Sequence, residues 1–168
     1  MSKSKGGKVG FIAILIVLVM LIVAIVGVCI DWVNTTVTIL GHSETTGTTL
    51  SGLFDTLGEA EGEIGGAFKA MASFAILTVI LAAATTILSG ICKVLGWKLF
   101  RFILVVVAIV CVVCGVVSII TSFTFCDKVS VDLGGLASGT YTPYIGAWLT
   151  SIGGALAGLV GIFAAVKS

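Results

Sequence analysis

The chain has 168 residues, a formal net charge of +1 and a hydrophobic content of 58%, and its mean hydropathy is +1.27. It carries no basic stripe for a nucleic acid, and its single histidine excludes a two-histidine metal motif such as H-E-x-x-H. Beside four long apolar segments, this length leaves no room for a separate soluble catalytic domain.

Four stretches contain no Asp, Glu, Lys or Arg: residues 9–30, 70–92, 102–126 and 133–166. A helix needs roughly 20 apolar residues to cross the hydrocarbon core of a bilayer. We therefore predict a single integral membrane domain over residues 1–168, with the lipid bilayer as its first partner. A soluble protein would have to bury four uncharged segments in its interior, each long enough to cross a bilayer.

The four predicted crossings divide the charged residues between the two sides of the membrane. One side of the membrane receives only basic residues, with a net charge of +7: Lys3, Lys5, Lys8, Lys93, Lys98, Arg101 and Lys167. The other side has a net charge of −6, since its only basic residues are Lys69 and Lys128. Basic residues mark the cytoplasmic side. We expect both termini in the cytoplasm, loops 31–68 and 126–142 outside the cell, and a location in the plasma membrane.

The helices are predicted in chain order from the apolar runs. A helix over about 9–30 leads into loop one, and a helix over about 69–92 returns. A short basic connection makes that helix an antiparallel neighbour of the next one, about 101–125. The last helix, about 143–166, begins with Pro143, which suits a first helical position because its missing N–H has no helical partner there. The predicted fold is a left-handed bundle of four transmembrane helices.

The two outer loops also contain strand signals. Residues 32–40 are rich in β-branched side chains, and residues 45–50 can return as a second strand after a turn at 41–44. Residues 128–133 alternate between apolar and polar side chains, which favours a third strand. We therefore expect a small extracellular β-sheet built from both loops.

The end of loop one has a different pattern. Apolar residues recur there at helical spacing, which predicts a short amphipathic helix on the outer surface: Leu53, Phe54, Leu57, Ile64 and Phe68. Four glycines in the same segment weaken that helix, because each costs about 1 kcal/mol relative to alanine: Gly58, Gly62, Gly65 and Gly66.

Small residues concentrate in the last helix. Gly154 and Gly158 form a G-x-x-x-G pair, and Ala157 and Gly161 repeat the spacing. Such faces allow close approach of helix backbones in lipid. They predict packing within the chain's own bundle, with the helix over 69–92 as the natural partner, or a contact between two copies.

The five cysteines have several readings. Cys29 and Cys126 end two helices on the outer side and could form a disulfide if those ends touch. Cys92, near the inner end of its helix, is open to palmitoylation or to packing. Cys111 and Cys114 are three residues apart on one face, and without a second ligand pair we interpret them as packing residues.

Acidic residues dominate loop one, and five are candidates for lining an ion path or a contact: Glu44, Asp55, Glu59, Glu61 and Glu63. If loops of neighbouring copies meet, acidic side chains around a confined gap favour cations. Solubility of an exposed loop is the other reading. His42 beside Glu44 is interpreted as a solvated turn rather than a metal site.

Three local patterns resemble the claudin and PMP22-like family of four-helix membrane proteins. Trp32 directly follows the first helix, and Gly52-Leu53-Phe54 comes about twenty residues later, where that family has Gly-Leu-Trp. Lys69 lies between alanines at the start of the second helix. Tyr144, Gly146 and Trp148 open the last helix in a similar way. The family's pair of cysteines after Gly-Leu-Trp is missing here, since residues 55–68 contain no cysteine.

The resemblance implies a non-enzymatic structural or adhesion protein without a cofactor. It would self-associate as a homo-oligomer or with tetraspan neighbours, form contacts or barriers at cell junctions, and select cations through the acidic loop. Two alternatives remain open: an accessory subunit of a channel or receptor, which is a membrane-protein partner, or an oligomeric pore. A pore-lining helix should turn its polar face to the oligomer axis: Thr78, Thr85, Thr86 and Ser89.

Overall fold

The structure is a computed structural model, and it describes residues 4–134 and 136–167, with side chains from residue 10 to residue 166 except residue 135. Lys3 therefore lies outside the described residues, and the side chains of Lys5, Lys8 and Lys167 lie outside the described side chains. The predicted sidedness partly depends on these four charges. In chain order the elements are α1 (Ser4–Cys29), β1 (Asp31–Ile39), β2 (His42–Thr49), α2 (Leu50–Leu57), α3 (Gly62–Leu95), α4 (Lys98–Val129), β3 (Val131–Asp132), β4 (Ala137–Pro143) and α5 (Ile145–Lys167).

Within the described residues, four helices are long and apolar enough to cross a membrane, as predicted: Gly10–Cys29, Gly62–Leu95, Lys98–Val129 and Ile145–Val166. The helices α3 and α4 have 34 and 32 residues, so at 1.5 Å per residue each is about 50 Å long. A hydrocarbon core is roughly 30 Å thick. Both helices must therefore extend beyond it.

The bundle places α5 beside α1 and α4, and α3 beside α4, with contacts between α3 and α5 across the middle. The antiparallel pairing of α3 and α4 was expected from their short connection. The chain turns there at Gly96, whose φ of 63° is left-handed and whose N–H donates to the Cys92 carbonyl oxygen. This turn lies at the end of the bundle where α1 begins and α5 ends, which we call the terminal end.

The strands form one antiparallel sheet at the opposite end, in the order β2-β1-β4-β3. The hairpin β1–β2 comes from loop one, and β4 pairs with β1 from Val33↔Pro143 to Ile39↔Ala137. A sheet built from both loops was predicted, and the order shows how the loops are joined. We call this the sheet end of the bundle.

Loop two differs from its prediction. The strand expected at 128–133 is mostly absent, because α4 continues to Val129 and β3 has only two residues. The main strand of this loop is β4, which sequence reasoning did not find. Pro143 ends that strand instead of starting a helix, and α5 begins at Ile145. A proline fits the end of a strand because no ladder N–H is needed there.

Loop one also differs in detail. The amphipathic segment is divided, since α2 ends at Leu57 and α3 begins at Gly62. The glycines account for the break: Gly58 caps α2 by donating its N–H to the Phe54 carbonyl oxygen, and Gly62 has a φ of 82°. Thr49 caps the start of α2 through its hydroxyl, which accepts from the Gly52 N–H at 3.2 Å.

Buried apolar residues form three clusters along the bundle. The largest lies at the sheet end and joins the strand β1 to the helices α2, α3, α4 and α5; we call it the sheet-end cluster: Trp32, Val33, Leu50, Leu53, Phe68, Met71, Ala72, Ala75, Phe125, Cys126 and Ala147. The middle of the bundle is filled by smaller side chains, among them Ala82 and Ala157. The third cluster, around Leu104, lies toward the terminal end.

Candidate functional site

Two of the residues that carried the family resemblance, Leu53 and Tyr144, meet Trp32. Its side chain is fully buried in the sheet-end cluster with Leu53. Phe54, the neighbour of Leu53, packs its ring edge-on against Phe68 at a centroid distance of 5.0 Å. Phe68 in turn lies 5.9 Å from the ring of Phe125. Leu53 and Phe54 of α2 therefore tie loop one to α3 and α4.

The start of α5 meets the same region through its backbone. The Tyr144 N–H donates to the Trp32 carbonyl oxygen at 2.8 Å. Gly146 passes so close to α1 that a Cβ there would lie 2.6 Å from the Gly27 carbonyl oxygen and 2.7 Å from that of Asp31. Glycine is required here because two backbones cross without room for a side chain.

The remaining motif residues lie at the surface. Trp148 is exposed and packs edge-on against Phe123 at 5.9 Å. Lys69 is exposed directly after the buried Phe68. Gly52 serves the α2 cap described above, and a Cβ there would lie 3.3 Å from the Thr48 methyl group, which is a tight contact. These residues border the sheet-end cluster rather than a cavity.

The five acidic candidates are all exposed at the sheet end. Glu44 lies in β2, Asp55 in α2, Glu59 and Glu61 in the α2–α3 connection, and Glu63 in the first turn of α3. Glu63 is not free, because its carboxylate accepts a hydrogen bond from the Lys128 ammonium at 3.3 Å. The acidic residues thus lie along one end of the molecule without forming one compact site.

The polar face of α3 turns inward. Thr78, Thr85 and Ser89 are buried, and each donates its hydroxyl to a backbone carbonyl one turn earlier in α3. A Cβ at Gly154 or at Gly161 of α5 would overlap the methyl group of Thr78 or of Thr85, respectively. This face therefore packs against α5 within one chain, which removes the main sequence argument for an oligomeric pore.

The glycines of α5 contact other helices of the same chain. Gly154 and Gly161 lie against α3, while a Cβ at Gly158 would be 2.5 Å from the Ala108 carbonyl oxygen of α4. These approaches are tighter than any side chain tolerates. The face formed by Gly154, Gly158 and Gly161 is thus occupied inside the bundle and is not available to a second copy.

The disulfide that Cys29 and Cys126 could form if their helix ends touched is absent from the structure, where both are free thiols. Cys126 is buried in the sheet-end cluster, whereas Cys29 is exposed on a surface that α1 shares with α3. The two thiols therefore point to different places. Cys92 is 1% exposed and packs with Leu104, which favours the packing interpretation.

Cys111 has a specific role in packing at the middle of the bundle. Its thiol donates to the Gly154 carbonyl oxygen at 3.2 Å and lies 3.9 Å from the Thr78 carbonyl oxygen. A small, weakly polar side chain fits where three helices meet. Cys114 is buried nearby in the same helix.

Sequence reasoning missed an apolar surface on the sheet. Partners in the ladder share a face, so Val37 and Val131 flank Gly139, and Ile39 lies beside Ala137. Val37, Ile39 and Val131 are exposed. Apolar residues at alternate positions in 33–39 indicate that one face of this strand is apolar. The sequence alone does not show that no other element packs over that face. The opposite face carries hydroxyls, with Thr36 bonded to Thr45 and Thr38 bonded to Ser43.

Among the described side chains, no three His, Cys, Asp or Glu residues lie close enough to hold a metal ion. The hollow beside His42 and Glu44, of about 290 Å³, is lined by Val37 and Ile39 as well. It is a surface feature of the β2 edge rather than an enclosed pocket. No protein-family model matches the chain, and comparison with curated proteins finds no similar sequence.

Proposed function

We propose that this chain is a claudin-like structural and adhesion protein that self-associates through the loops at its sheet end. The observation that carries the proposal is the convergence on Trp32. It connects the end of α1, the Gly52-Leu53-Phe54 segment and the start of α5 beneath one sheet made from both loops. The rigid helical base and exposed sheet suit a scaffold that presents a surface to a partner.

The acidic end of the molecule supports a preference for cations in such assemblies. Glu44, Asp55, Glu59 and Glu61 are exposed, and Lys69 and Lys128 are the only lysine or arginine residues on the acidic side of the predicted crossings. Lys128 is already engaged by Glu63. A confined gap between copies would therefore carry an uncompensated negative field, which raises the local concentration of cations.

The test is a cell layer that expresses the protein, with electrical resistance and the ratio of sodium to chloride permeability as readouts. Glu59 and Glu61 are changed to glutamine together, which removes charge and keeps shape. We expect a fall in the sodium-to-chloride ratio. The matched control is Glu63→Gln together with Lys128→Gln, which removes both members of an ion pair without a change in net charge and should leave the ratio unchanged.

Unchanged resistance and selectivity, with the protein present at cell contacts, would contradict the barrier role. That result would favour an accessory subunit, which acts through a membrane-protein partner. An oligomeric pore has weaker support, because the hydroxyls of α3 pack inside the bundle.

A further inference from the structure

The contact between α1 and α5 changes along its length. Toward the sheet end the two backbones touch, since a Cβ at Gly27 would lie 2.6 Å from the Thr150 nitrogen and a Cβ at Gly153 would lie 3.0 Å from the Ala24 nitrogen. Toward the terminal end the same two helices separate, and a groove of about 340 Å³ opens between them. The bundle is therefore incompletely filled in the half where α1 begins and α5 ends.

The groove has an apolar floor and apolar walls. Ala13 is buried and Val160 is half-buried, so these two side chains form the floor. The walls are large exposed side chains from both helices: Ile12, Ile16, Leu159 and Phe163. All of these residues belong to the segments that are long and apolar enough to cross a membrane, and the groove has the volume of a small-molecule site, roughly 300–1,000 Å³. An acyl chain matches both its composition and its surroundings.

The helix backbones bring two lysines to one end of this groove. Lys8 is four residues before Ile12 in α1, and Lys167 is four residues after Phe163 in α5. Residues four apart lie on the same side of a helix, about 6 Å apart along its axis. Because α1 and α5 are antiparallel, both lysine positions lie one turn beyond the groove on the terminal side, at the same level.

The positive charge at this level has no acidic counterpart in either helix. Residues 1–30 and 133–168, which include all of α1 and α5, contain no Asp or Glu. Lysines near the ends of spanning helices reach the headgroup region, where basic residues attract anionic lipids. A zwitterionic headgroup brings its own cation, whereas an anionic headgroup supplies the net negative charge that two lysines can neutralise. The charge therefore favours an anionic lipid.

We propose that the groove between α1 and α5 is a binding site for an anionic phospholipid. One acyl chain lies on Ala13 and Val160, and the headgroup phosphate lies at the level of Lys8 and Lys167. This inference depends neither on the proposed adhesion role nor on which side of the membrane the terminal end occupies. It gives these two lysines a binding role in addition to any effect on orientation.

The test is quenching of tryptophan fluorescence by brominated lipids in nanodiscs that hold the full chain. Trp97→Phe and Trp148→Phe remove two native signals, while Trp32 is fully buried and remains as a constant background. Phe163→Trp then places a reporter in the groove. We expect phosphatidylglycerol with brominated acyl chains to quench this reporter at a several-fold lower mole fraction than phosphatidylcholine with the same chains.

Charge variants of the reporter chain show whether the lipid preference belongs to the groove. Lys8→Gln with Lys167→Gln should make the two lipids quench equally. The matched control, Lys93→Gln with Lys98→Gln, removes two exposed charges of α3 and α4 near the same end and should leave the preference intact. An equal loss of preference in both double variants would show a general effect of positive charge and would overturn the site.

Filling the groove tests the position of the acyl chain. Ala13→Leu raises the floor and should weaken quenching by both brominated lipids. Circular dichroism checks the helix content of this variant, and if that content falls, Ile16→Phe fills the groove from its exposed wall instead. Undiminished quenching in a folded variant with a filled groove would overturn the proposal. So would a reporter that neither lipid quenches in the unfilled groove, as expected if a helix of a second copy occupied it.

Discussion

At the scale of single residues, Trp32 is the side chain whose loss should matter most. It is fully buried among residues from four helices, and its indole N–H has no hydrogen-bond acceptor. Trp32→Ala should therefore lower the free energy of unfolding in detergent by about 3–5 kcal/mol, because it leaves a cavity. Trp32→Phe should cost clearly less, since it keeps a ring and loses no hydrogen bond. Equal losses for both variants would show that the indole N–H is needed.

Glycine at the helix crossings is a second residue-scale requirement. Gly158→Ala places a methyl group 2.5 Å from the Ala108 carbonyl oxygen, and backbone cannot move aside as a flexible side chain can. We expect it to lower the free energy of unfolding by about 1–3 kcal/mol. The matched control is Gly90→Ala in α3, where nothing lies within 4 Å and alanine should be neutral or better by up to about 1 kcal/mol. The pair is measured by denaturation in the same detergent, and an equal effect would contradict the described crossing.

At the scale of elements, the β1–β2 turn contains a leucine in an energetically unfavourable backbone conformation. Leu40 has a φ of 50° and is followed by Gly41 at 85°, and such turns favour Asn-Gly. Leucine in this left-handed conformation costs about 1–2 kcal/mol. Leu40→Asn should therefore raise the protection of β1 and β2 amides against hydrogen exchange. Leu136→Asn, at the neighbouring turn, serves as a control for lost apolar surface. Lower protection after Leu40→Asn would mean that the side chain of Leu40 stabilises the hairpin by packing.

The ion pair between α3 and α4 should contribute little to stability. Lys128 and Glu63 meet at 3.3 Å, but their side chains are 40% and 87% exposed. Solvated pairs are worth about 0–1 kcal/mol. A double-mutant cycle with Lys128→Ala and Glu63→Ala should therefore give a coupling below about 1 kcal/mol, decreasing with salt. A coupling well above that, independent of salt, would indicate a buried pair.

The elements also show where sequence reasoning succeeds and fails. Long uncharged runs predicted all four spanning helices, because the lipid length requirement is a strong constraint. β4 was missed because residues 137–143 contain glycine, serine and proline in place of a β-branched run, and the strand exists only through its pairing with β1. Spacing alone likewise left open whether Cys29 and Cys126 could pair, because the rotation of a helix about its axis decides where Cys29 points.

At the scale of the whole molecule, the small-residue face of α5 is covered by other helices of the chain, whereas the sheet has an uncovered apolar face. The small residues predicted either to pack internally or to bind a second copy are used within the chain, at Gly154 and Gly161 against α3 and at Gly158 against α4. The surfaces left for a partner are the lipid-facing helices and the uncovered sheet end. Hydropathy predicts the lipid-facing helix surfaces from the sequence. The uncovered sheet end could be recognised only once the strand order was known.

The proposed adhesion and barrier role requires the sheet end to lie outside the cell. The measurement is labelling of single cysteines in intact cells with a membrane-impermeant maleimide, in a chain with Cys29→Ser. We predict that Ser43→Cys and Thr140→Cys, both at the sheet end, are labelled without permeabilisation, and that Lys98→Cys at the terminal end is labelled only after it. Labelling of Lys98→Cys in intact cells, with Ser43→Cys protected until the membrane is opened, would contradict the account.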